Sequence, residues 1–557
     1  MSRISNAVKN SGADEGLRMT ETHENFMGGD SYQVDPITRM KLVTASSIFG
    51  EPSYYRDNDA GTNLSNSWYS CMVRNMQEIQ EADILHIMDI MDIKGNKTTD
   101  QVMIECIKDA LDYDFEQTLQ WAVELRNKFN IRLNPQIIMV LAATHPARQE
   151  FTQKYPWKFA NYSRQVMSRA DDAISQMEYY LYTNGSKHNM PSVLKRAWAR
   201  HISGLSDYEV LKYKNTGIGM VNAVRLCHAH SNTIDKLMHD ELVPTDETNT
   251  WERLRASGMK WEEIFHTIKM GHMAMVRNLV GFLNEVTSVK TMGEYLNALV
   301  KGVANGKQFP FRYYGAYLEV NNRVQDDTKR MLGLKALERC IDEAVKNMPR
   351  LKGKTMCLSD NSGSAWGAFT SENGRFTVAE IDNLSSVITA MRSDEGYVGV
   401  FGDKLKVYKV DKNRGCLEQA MEMSEARGND VGLDTEGGIW EFFNRAIDEK
   451  QLWDNIFIYS DQQAGTGGLY GTREQMYKYQ GSYGLGIYIN VFKLVKDYRA
   501  YVNDKVNVFS VQTAGYSDMV LPNYAYRVNL LYGWTGKEAQ FAKAVIDLWD
   551  EADKQNK

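Results

Sequence analysis

The spacing of hydrophobic residues divides the chain into two parts. From about residue 76 to about residue 349, apolar side chains recur at the intervals of amphipathic helices, with short polar breaks and almost no strand pattern. Ile84, Ile87 and Met91, for example, are spaced to line one face of a helix. Successive patterns such as FEQTLQWAVELRNKF and PQIIMVLAA suggest helix pairs with a loose period of about 40 residues. The first part is therefore predicted to be an α-helical, HEAT-like solenoid.

After about residue 352 the pattern changes to alternating strands and helices. The strand patterns KTMCLSD, NIFIYSD and KVNVFSVQTAG are separated by helical patterns, and GYVGVFGDKLKVYKV is typical of a hairpin. Such alternation predicts a doubly wound α/β domain. We therefore expect a polar N-terminal segment over 1–30, a helical repeat domain over 31–350 and an α/β domain over 351–557.

Composition narrows the class of protein without assigning a function. The chain has 557 residues, of which 43% are hydrophobic and 24% charged, as in ordinary globular proteins of more than one domain. No apolar run reaches the roughly 18 residues of a membrane span, and the polar N-terminus lacks the apolar core of a signal peptide. A cytoplasmic protein with no membrane partner is expected. The six cysteines form no C-x-x-C pair or Cys/His cluster, which argues against disulfides and a zinc site.

Oxygen-bearing side chains at the ends of two predicted strands indicate a metal site. Asp360, Ser362 and Ser364 form a D-x-S-x-S pattern after one apolar strand, and Asp461 ends another strand about a hundred residues later. Hard oxygen ligands suit Mg²⁺, with Mn²⁺ and Ca²⁺ as alternatives. In an open α/β sheet these residues converge where the strands' carboxyl ends meet the loops. The competing interpretation is that they only cap the following helix and bond the loop backbone.

Positive charge is concentrated in one segment of the helical half, although the whole chain carries a net charge of −6. Residues 185–230 contain seven Lys and Arg against two acids, together with four of the ten histidines. Arg196 and Arg200 lie four residues apart and share a helix face, opposite Leu194 and Trp198. Clustered cations neutralise phosphates, and nearby rings can stack on unpaired bases. A solvated basic face of a repeat protein remains the alternative.

The order of these pieces resembles the Ro 60 kDa autoantigen family, also called TROVE-module proteins. Matching segments are NFMGGDSYQVDPITRMKLVTASSIFGEPSYYRD near the N-terminus, SVLKRAWARHI with the later VRLCHAHS, and FPFRYYGAYLEV before the α/β part. The D-x-S-x-S pattern then resembles the first strand of a von Willebrand factor A-like domain. The resemblance spans nearly the whole chain, and it rests on the order of the segments more than on any one of them.

The resemblance implies a function as well as a fold. The helical half would close into a ring within one chain, which predicts a monomer, and would hold single-stranded RNA ends and a small structured Y-like non-coding RNA. Such a protein would act in RNA quality control or degradation without being an enzyme. The residues expected to contact RNA are Lys187, Lys195, Arg196, Arg200, His201, Arg225, His228 and His230.

The resemblance also implies a metal-ion-dependent adhesion site in the second domain. Its ligands would be Asp360, Ser362, Ser364 and Asp461, completed by a threonine from another loop. Leu433 stands at that threonine position, and leucine cannot ligate a metal, so Asp434 or Thr435 is expected to substitute after a small shift. A carboxylate of a partner protein could complete the coordination shell.

Two other classes of function compete with RNA binding. A metal-dependent adhesion or scaffold protein would act through the second domain, with the helical half as a support, and would show no affinity for RNA. A Mg²⁺-dependent nuclease or phosphatase would need paired metals or an activated nucleophile. Because Asp360 and Asp461 are both assigned to one ion and no general base stands out nearby, we do not expect an enzyme.

Overall fold

The structure of the chain is a computed structural model. It describes residues 22–24, 30–32, 35–46, 99–128, 131–184, 187, 189–245, 249–306, 308–346, 348–367, 376–426, 430–432, 436–462, 491–513, 520–521, 525–532 and 538–555. The helix predicted around Ile84 lies outside these described residues.

Two short paired strands come first, β1 (Thr22–Glu24) and β2 (Asp30–Tyr32), and the other regular elements described in the first part are helices. Its helices are α1 (Pro36–Ser46), α2 (Thr99–Tyr113), α3 (Phe115–Asn127), α4 (Asn134–Thr144), α5 (Arg148–Lys154), α6 (Lys158–Val166), α7 (Asp172–Asn184), α8 (Ser192–Ser203), α9 (Asp207–Lys212), α10 (Met220–Cys227), α11 (Asn232–Met238), α12 (Trp251–Ala256), α13 (Trp261–Thr267), α14 (His272–Arg277), α15 (Leu279–Glu285), α16 (Val289–Gly306), α17 (Pro310–Arg323) and α18 (Asp327–Lys346).

The second part alternates strands and helices, as predicted. Its elements are β3 (Leu351–Asp360), α19 (Gly363–Gly367), α20 (Val378–Met391), β4 (Ser393–Phe401), β5 (Leu405–Lys409), α21 (Cys416–Ser424), α22 (Glu436–Asp448), β6 (Asn455–Ser460), α23 (Val491–Tyr501), β7 (Asn507–Gln512), β8 (Val528–Tyr532) and α24 (Glu538–Gln555). The sequence analysis missed β8, although its five residues, VNLLY, form a short apolar run.

The six strands of the second part form one sheet in the order β5-β4-β3-β6-β7-β8. All neighbours are parallel except β4 and β5, which form the predicted hairpin. Counted from β3, this is the order 3-2-1-4-5-6 of a doubly wound fold, in which the chain direction across the sheet reverses between β3 and β6. The crevice at such a reversal, outside the carboxyl ends of the strands, is where open α/β sheets bind ligands.

Both faces of the sheet are buried, which explains why its strands are almost continuously apolar. Along β3, Met356 and Leu358 belong to an apolar core that includes the early helices and α22 and α23. Cys357, between them, belongs to a second core that includes α12 to α18 together with α20 and α21. The alternation follows from the two-residue period of a strand, which sends successive side chains to opposite faces.

The helical part contacts the α/β part at both of its ends. Near the chain start, α1 packs against β8. At the other end, Phe376 stacks on Tyr314 of α17 with their ring centroids 4.9 Å apart, and Asp342 of α18 accepts the backbone N–H of Cys416 at 3.0 Å. Contact at both ends within one chain is what the expected closed ring requires.

The described residues also bear on membrane crossing and on the cysteines. No described helix is both long enough and apolar enough to span a bilayer. The five cysteines in the described ranges are buried and unpaired, namely Cys106, Cys227, Cys340, Cys357 and Cys416.

Candidate functional site

Asp360 and Asp461 lie at the reversal point of the sheet. Asp360 is the last residue of β3, and Asp461 directly follows β6, its parallel neighbour. Asp360 Oδ1 accepts the backbone N–H of Ser362 at 2.8 Å, while Oδ2 accepts the hydroxyl of Ser460 at 2.6 Å. The side chains of Asp360, Ser362 and Asp461 are all buried. Three of the predicted ligand residues therefore lie together at this edge of the sheet.

The electrostatics of this edge favour a positive charge. Burial, followed by the nearby carboxylate of Asp461, raises the pKa of Asp360 to about 7, against the opposing effect of the hydrogen bonds from Ser362 and Ser460. Two buried carboxylates that are close to each other cannot both ionise without a strong mutual repulsion. A bound cation or a shared proton would relieve it.

The described donor atoms fit a hard cation, and the other predicted ligands lie outside the described side chains. Ser364 lies in α19, but its side chain is outside the described set, and Asp434 and Thr435 lie outside the described residues. No group of three or more His, Cys, Asp or Glu side chains within the described ranges is arranged to hold a metal ion. The predicted site needs only two carboxylates with hydroxyls, and such oxygen donors suit Mg²⁺.

A buried amide and hydroxyl network fixes the loop that follows Asp360. Asn361 donates its backbone N–H to the carbonyl of Phe401 at 2.8 Å, and its side-chain amide donates to Asn383 Oδ1 at 2.9 Å. Asn383, on α20, donates in return to Asn361 Oδ1 and to Ser424 Oγ of α21, each at 3.0 Å. Satisfied buried networks of this kind rigidify a site. They hold the backbone of the D-x-S-x-S loop in place.

The sequence analysis missed a third carboxylate at this edge. Asp382, on α20, is fully buried, and the carboxylates of Asp360 and Asp461 add to the effect of burial in raising its pKa well above the usual range. The segment VAEIDNLSSVITAM is predicted to be a helix, but nothing in its sequence distinguishes Asp382 from an ordinary surface residue. The signal that could have revealed it is the set of six polar side chains along a helix that proves to be buried on nearly every side.

Helix α8 presents the predicted basic face. Its buried side, Leu194, Trp198 and Ile202, packs into the helical core, and Trp198 Nε1 donates to Gln176 of α7 at 2.8 Å. On the opposite side Arg196 and Arg200 are exposed. Within the described ranges neither guanidinium forms an ion pair or a hydrogen bond. These two cations are therefore available to an anionic ligand.

The predicted residues of α10 lie on a neighbouring surface, since α8 and α10 are in contact. Arg225 is exposed, and the described residues offer it no ion-pair partner. His228 ends α10 in the left-handed conformation, with φ at 60°, and its backbone N–H donates to Val224. The backbone N–H of His230 donates to Ser203 Oγ of α8 at 3.0 Å, which ties the two segments together. Both imidazoles are exposed.

The remaining predicted RNA contacts differ in their surroundings. Lys195 is half-buried on α8, and Lys187 is exposed before the helix begins. His201 is half-buried and its Nε2 lies 2.8 Å from the carbonyl oxygen of Arg169, so this ring is engaged in holding the segment before α7. Of the eight predicted residues, His201 is the one whose ring already has a protein partner.

Other arginines nearby are paired and serve the fold. Asp171 and Asp172, at the start of α7, form ion pairs with Arg126, Arg132 and Arg169. Asp172 Oδ2 also accepts the backbone N–H groups of Ser168 and Arg169 at 2.9 and 2.8 Å. Arginines held in such ion pairs are not free to bind a ligand. The two arginines of α8 differ from them because they are exposed and have no ion-pair partner among the described residues.

Comparisons with known proteins point to one family. Residues 243–424 match the family model described as the TROVE domain. The chain is similar to the crystal structure of the Deinococcus radiodurans RO (RSR) protein, with a TM-score of 0.50 and 12% sequence identity over 80% of this chain and 92% of that chain. At this identity the similarity establishes the fold. No curated protein sequence matches the chain.

The matched range covers some of the predicted features and omits others. It contains the segment FPFRYYGAYLEV, the D-x-S-x-S loop and Asp382. The basic residues of α8 and α10 precede residue 243 and lie outside it. Their role in binding stays a prediction that rests on their exposure and charge.

Proposed function

We propose that this chain, in which residues 243–424 match the TROVE domain and whose fold is similar to that of the Deinococcus radiodurans RO (RSR) protein, binds a small structured non-coding RNA of the Y-like kind together with single-stranded RNA ends. The family resemblance recognised in the sequence is thereby confirmed. The specific RNA and the role in quality control or degradation are parts of the proposal, in which the chain presents RNA and does not cleave it.

The observation that carries this proposal is the exposed basic surface formed by Arg196, Arg200 and Arg225. These guanidinium groups have no ion-pair partner among the described residues, although the chain as a whole is acidic. Each cation that contacts a phosphate releases condensed counterions, so binding to such a surface weakens steeply as salt rises. The exposed rings of His228 and His230 lie beside it and could stack on unpaired bases.

We also propose that the α/β domain binds a divalent cation, Mg²⁺ in the first instance, through Asp360, Ser362 and Asp461. The proposed set is completed by Ser364 and by Asp434 or Thr435. The paired buried carboxylates support this part of the proposal, since a cation would offset their repulsion. A carboxylate of a docking protein could complete the shell of the ion.

The experiment that tests RNA binding is a filter-binding titration of the full chain across salt concentrations. The probe is an RNA hairpin with a single-stranded 3′ tail, and the controls are the blunt hairpin and the tail alone. We expect tail-dependent affinity whose logarithm falls with the logarithm of salt by about 0.7 for each phosphate contacted on a single strand. Absence of binding to all three RNAs at low salt would reject the proposal and favour an adhesion or scaffold role.

A further inference from the structure

Asp382 stands out among the buried acids because none of the described residues neutralises it directly. It lies in the second turn of α20, a helix that packs against β3 and β6, and it is 0% exposed. Neither of its carboxylate oxygens has a hydrogen-bond partner among the described residues. An ionised carboxylate in such surroundings is strongly unfavourable unless a positive charge or hydrogen-bond donors stabilise it.

The neighbours of Asp382 are polar and are themselves unsatisfied. The hydroxyl of Thr513, which follows β7 and is only 2% exposed, lies close enough to Asp382 to lower its pKa, against the larger effect of burial that raises it. Thr513 Oγ1 has no hydrogen-bond partner within the described part of the chain. The same holds for the hydroxyls of Ser385 and Ser386, which are buried one turn further along α20.

Asp382 also lies within electrostatic reach of the two carboxylates at the end of β3 and β6. Asp360 and Asp461 both raise its pKa, after burial itself. Three buried carboxylates thus share one edge of the sheet. Among the described residues, no Lys, Arg or His forms an ion pair with Asp382.

We propose that Asp382 is an outer carboxylate of the cation site, facing the ion through the water molecules that the ion retains. The inference rests on the proposal that Asp360, Ser362 and Asp461 hold a divalent cation. Direct ligation is not part of it, because the described side chains include no group of three acids in metal-holding geometry. Mg²⁺ keeps several of its waters in protein sites, and outer carboxylates hold and orient such waters.

The proposal makes opposite predictions for the cation-free and cation-bound protein. Without a cation, Asp382→Asn keeps the shape of the side chain and removes the cost of burying a carboxyl group that must either ionise beside Asp360 and Asp461 or take up a proton, so the variant should unfold at a higher temperature than the wild type. In the cation-bound protein, the variant lacks one of the negative charges that attract the ion. Its affinity for the cation should therefore fall by about 10- to 100-fold, the usual effect of removing an outer-shell partner. A purely structural role for Asp382 predicts neither effect.

The test is calorimetric titration of the full chain with MgCl₂ and with MnCl₂, together with thermal unfolding in EDTA. Asp394→Asn is the matched control, because it removes the same charge from the first residues of β4, at the opposite end of the sheet. We expect weaker cation binding and a higher unfolding temperature for Asp382→Asn, with wild-type affinity for Asp394→Asn. Asp382→Ser, also neutral and polar, repeats the comparison should the asparagine variant fail to fold.

The possible outcomes distinguish the role of Asp382 from the existence of the proposed cation site. A wild-type protein that binds neither Mg²⁺ nor Mn²⁺ overturns both. A wild type that binds, with Asp382→Asn and Asp382→Ser binding equally well, overturns the role of Asp382 and leaves the cation site standing. Lower stability of both variants in EDTA would also overturn it, since the side chain would then be a structural hydrogen-bonding group.

Discussion

The hydroxyl of Ser460 donates a 2.6 Å hydrogen bond to Oδ2 of Asp360, and this bond joins the ends of two parallel strands that are a hundred residues apart in the chain. Both side chains are buried at the point where the strand order reverses. The bond leaves the Asp360 carboxylate fixed between Ser460 and the loop that carries Ser362. Orientation by such a bond is what a preformed cation site requires.

Replacing Asp360 with alanine should abolish cation binding and leave RNA binding largely intact. The substitution removes the carboxylate that is central to the proposed site, while the exposed arginines of α8 lie in the other part of the chain. Calorimetry with MgCl₂ and filter binding with the tailed hairpin measure the two effects separately. Equal heats for the wild type and the variant would remove the site assignment.

Replacing Arg196 and Arg200 together with alanine should weaken RNA binding and make it less sensitive to salt. Loss of two phosphate contacts lowers the slope of log affinity against log salt by about 1.5 to 2. A matched control is the pair Arg414→Ala and Arg445→Ala, which removes two exposed arginines that are already paired with glutamates in the α/β part. Unchanged affinity in the α8 variant would show that these arginines do not contact RNA.

The stability of the helical part should depend on the protonation of His272. Burial lowers the pKa of this histidine below its ordinary value of 6.5, and its Nε2 lies 2.7 Å from the hydroxyl of the buried Tyr313. The unfolded chain therefore binds a proton more readily than the folded one. The stabilising contribution is fully present above pH about 6.5 and is lost as the pH falls through the lower folded-state value.

Urea unfolding at pH 7.5 and at pH 5 measures this effect of His272. The wild type should lose more stability between the two pH values than His272→Gln, which cannot acquire the charge. The glycines of α16 make the site tight, because a Cβ atom at Gly306 would clash with Cδ2 of the ring. Equal losses in the two proteins would contradict the assignment to His272.

Replacing Phe376 with alanine should destabilise the junction between the two parts. This ring is 3% exposed and lies against both Phe311 and Tyr314 of α17. Truncating a buried phenylalanine costs about 3 to 5 kcal/mol, because it removes apolar contact and leaves a cavity. Equilibrium unfolding in urea gives the loss, and Phe376→Leu, which retains most of the volume, should lose much less. A loss below about 1 kcal/mol for the alanine variant would mean that the junction does not depend on this contact.

The sequence alone determined the local elements and the types of residue at the candidate sites. The helix period of residues such as Leu194, Trp198 and Ile202, and the apolar strands that end at Asp360 and Ser460, are properties of neighbouring residues in the chain, so they can be read from its pattern. The order of the segments also identified the family. The exposed face of α8 followed directly from its buried face.

Only the tertiary structure decided what depends on contacts between distant residues. Strand order put β6 beside β3 and so brought Asp461 next to Asp360, and the pairing of β8 with β7 was invisible in the pattern because its five residues are too few to show a period. On a helix with one exposed face, an acidic residue such as Asp382 would be expected at the surface. Its burial follows from the packing of α20 against the sheet and α21, which no local pattern encodes.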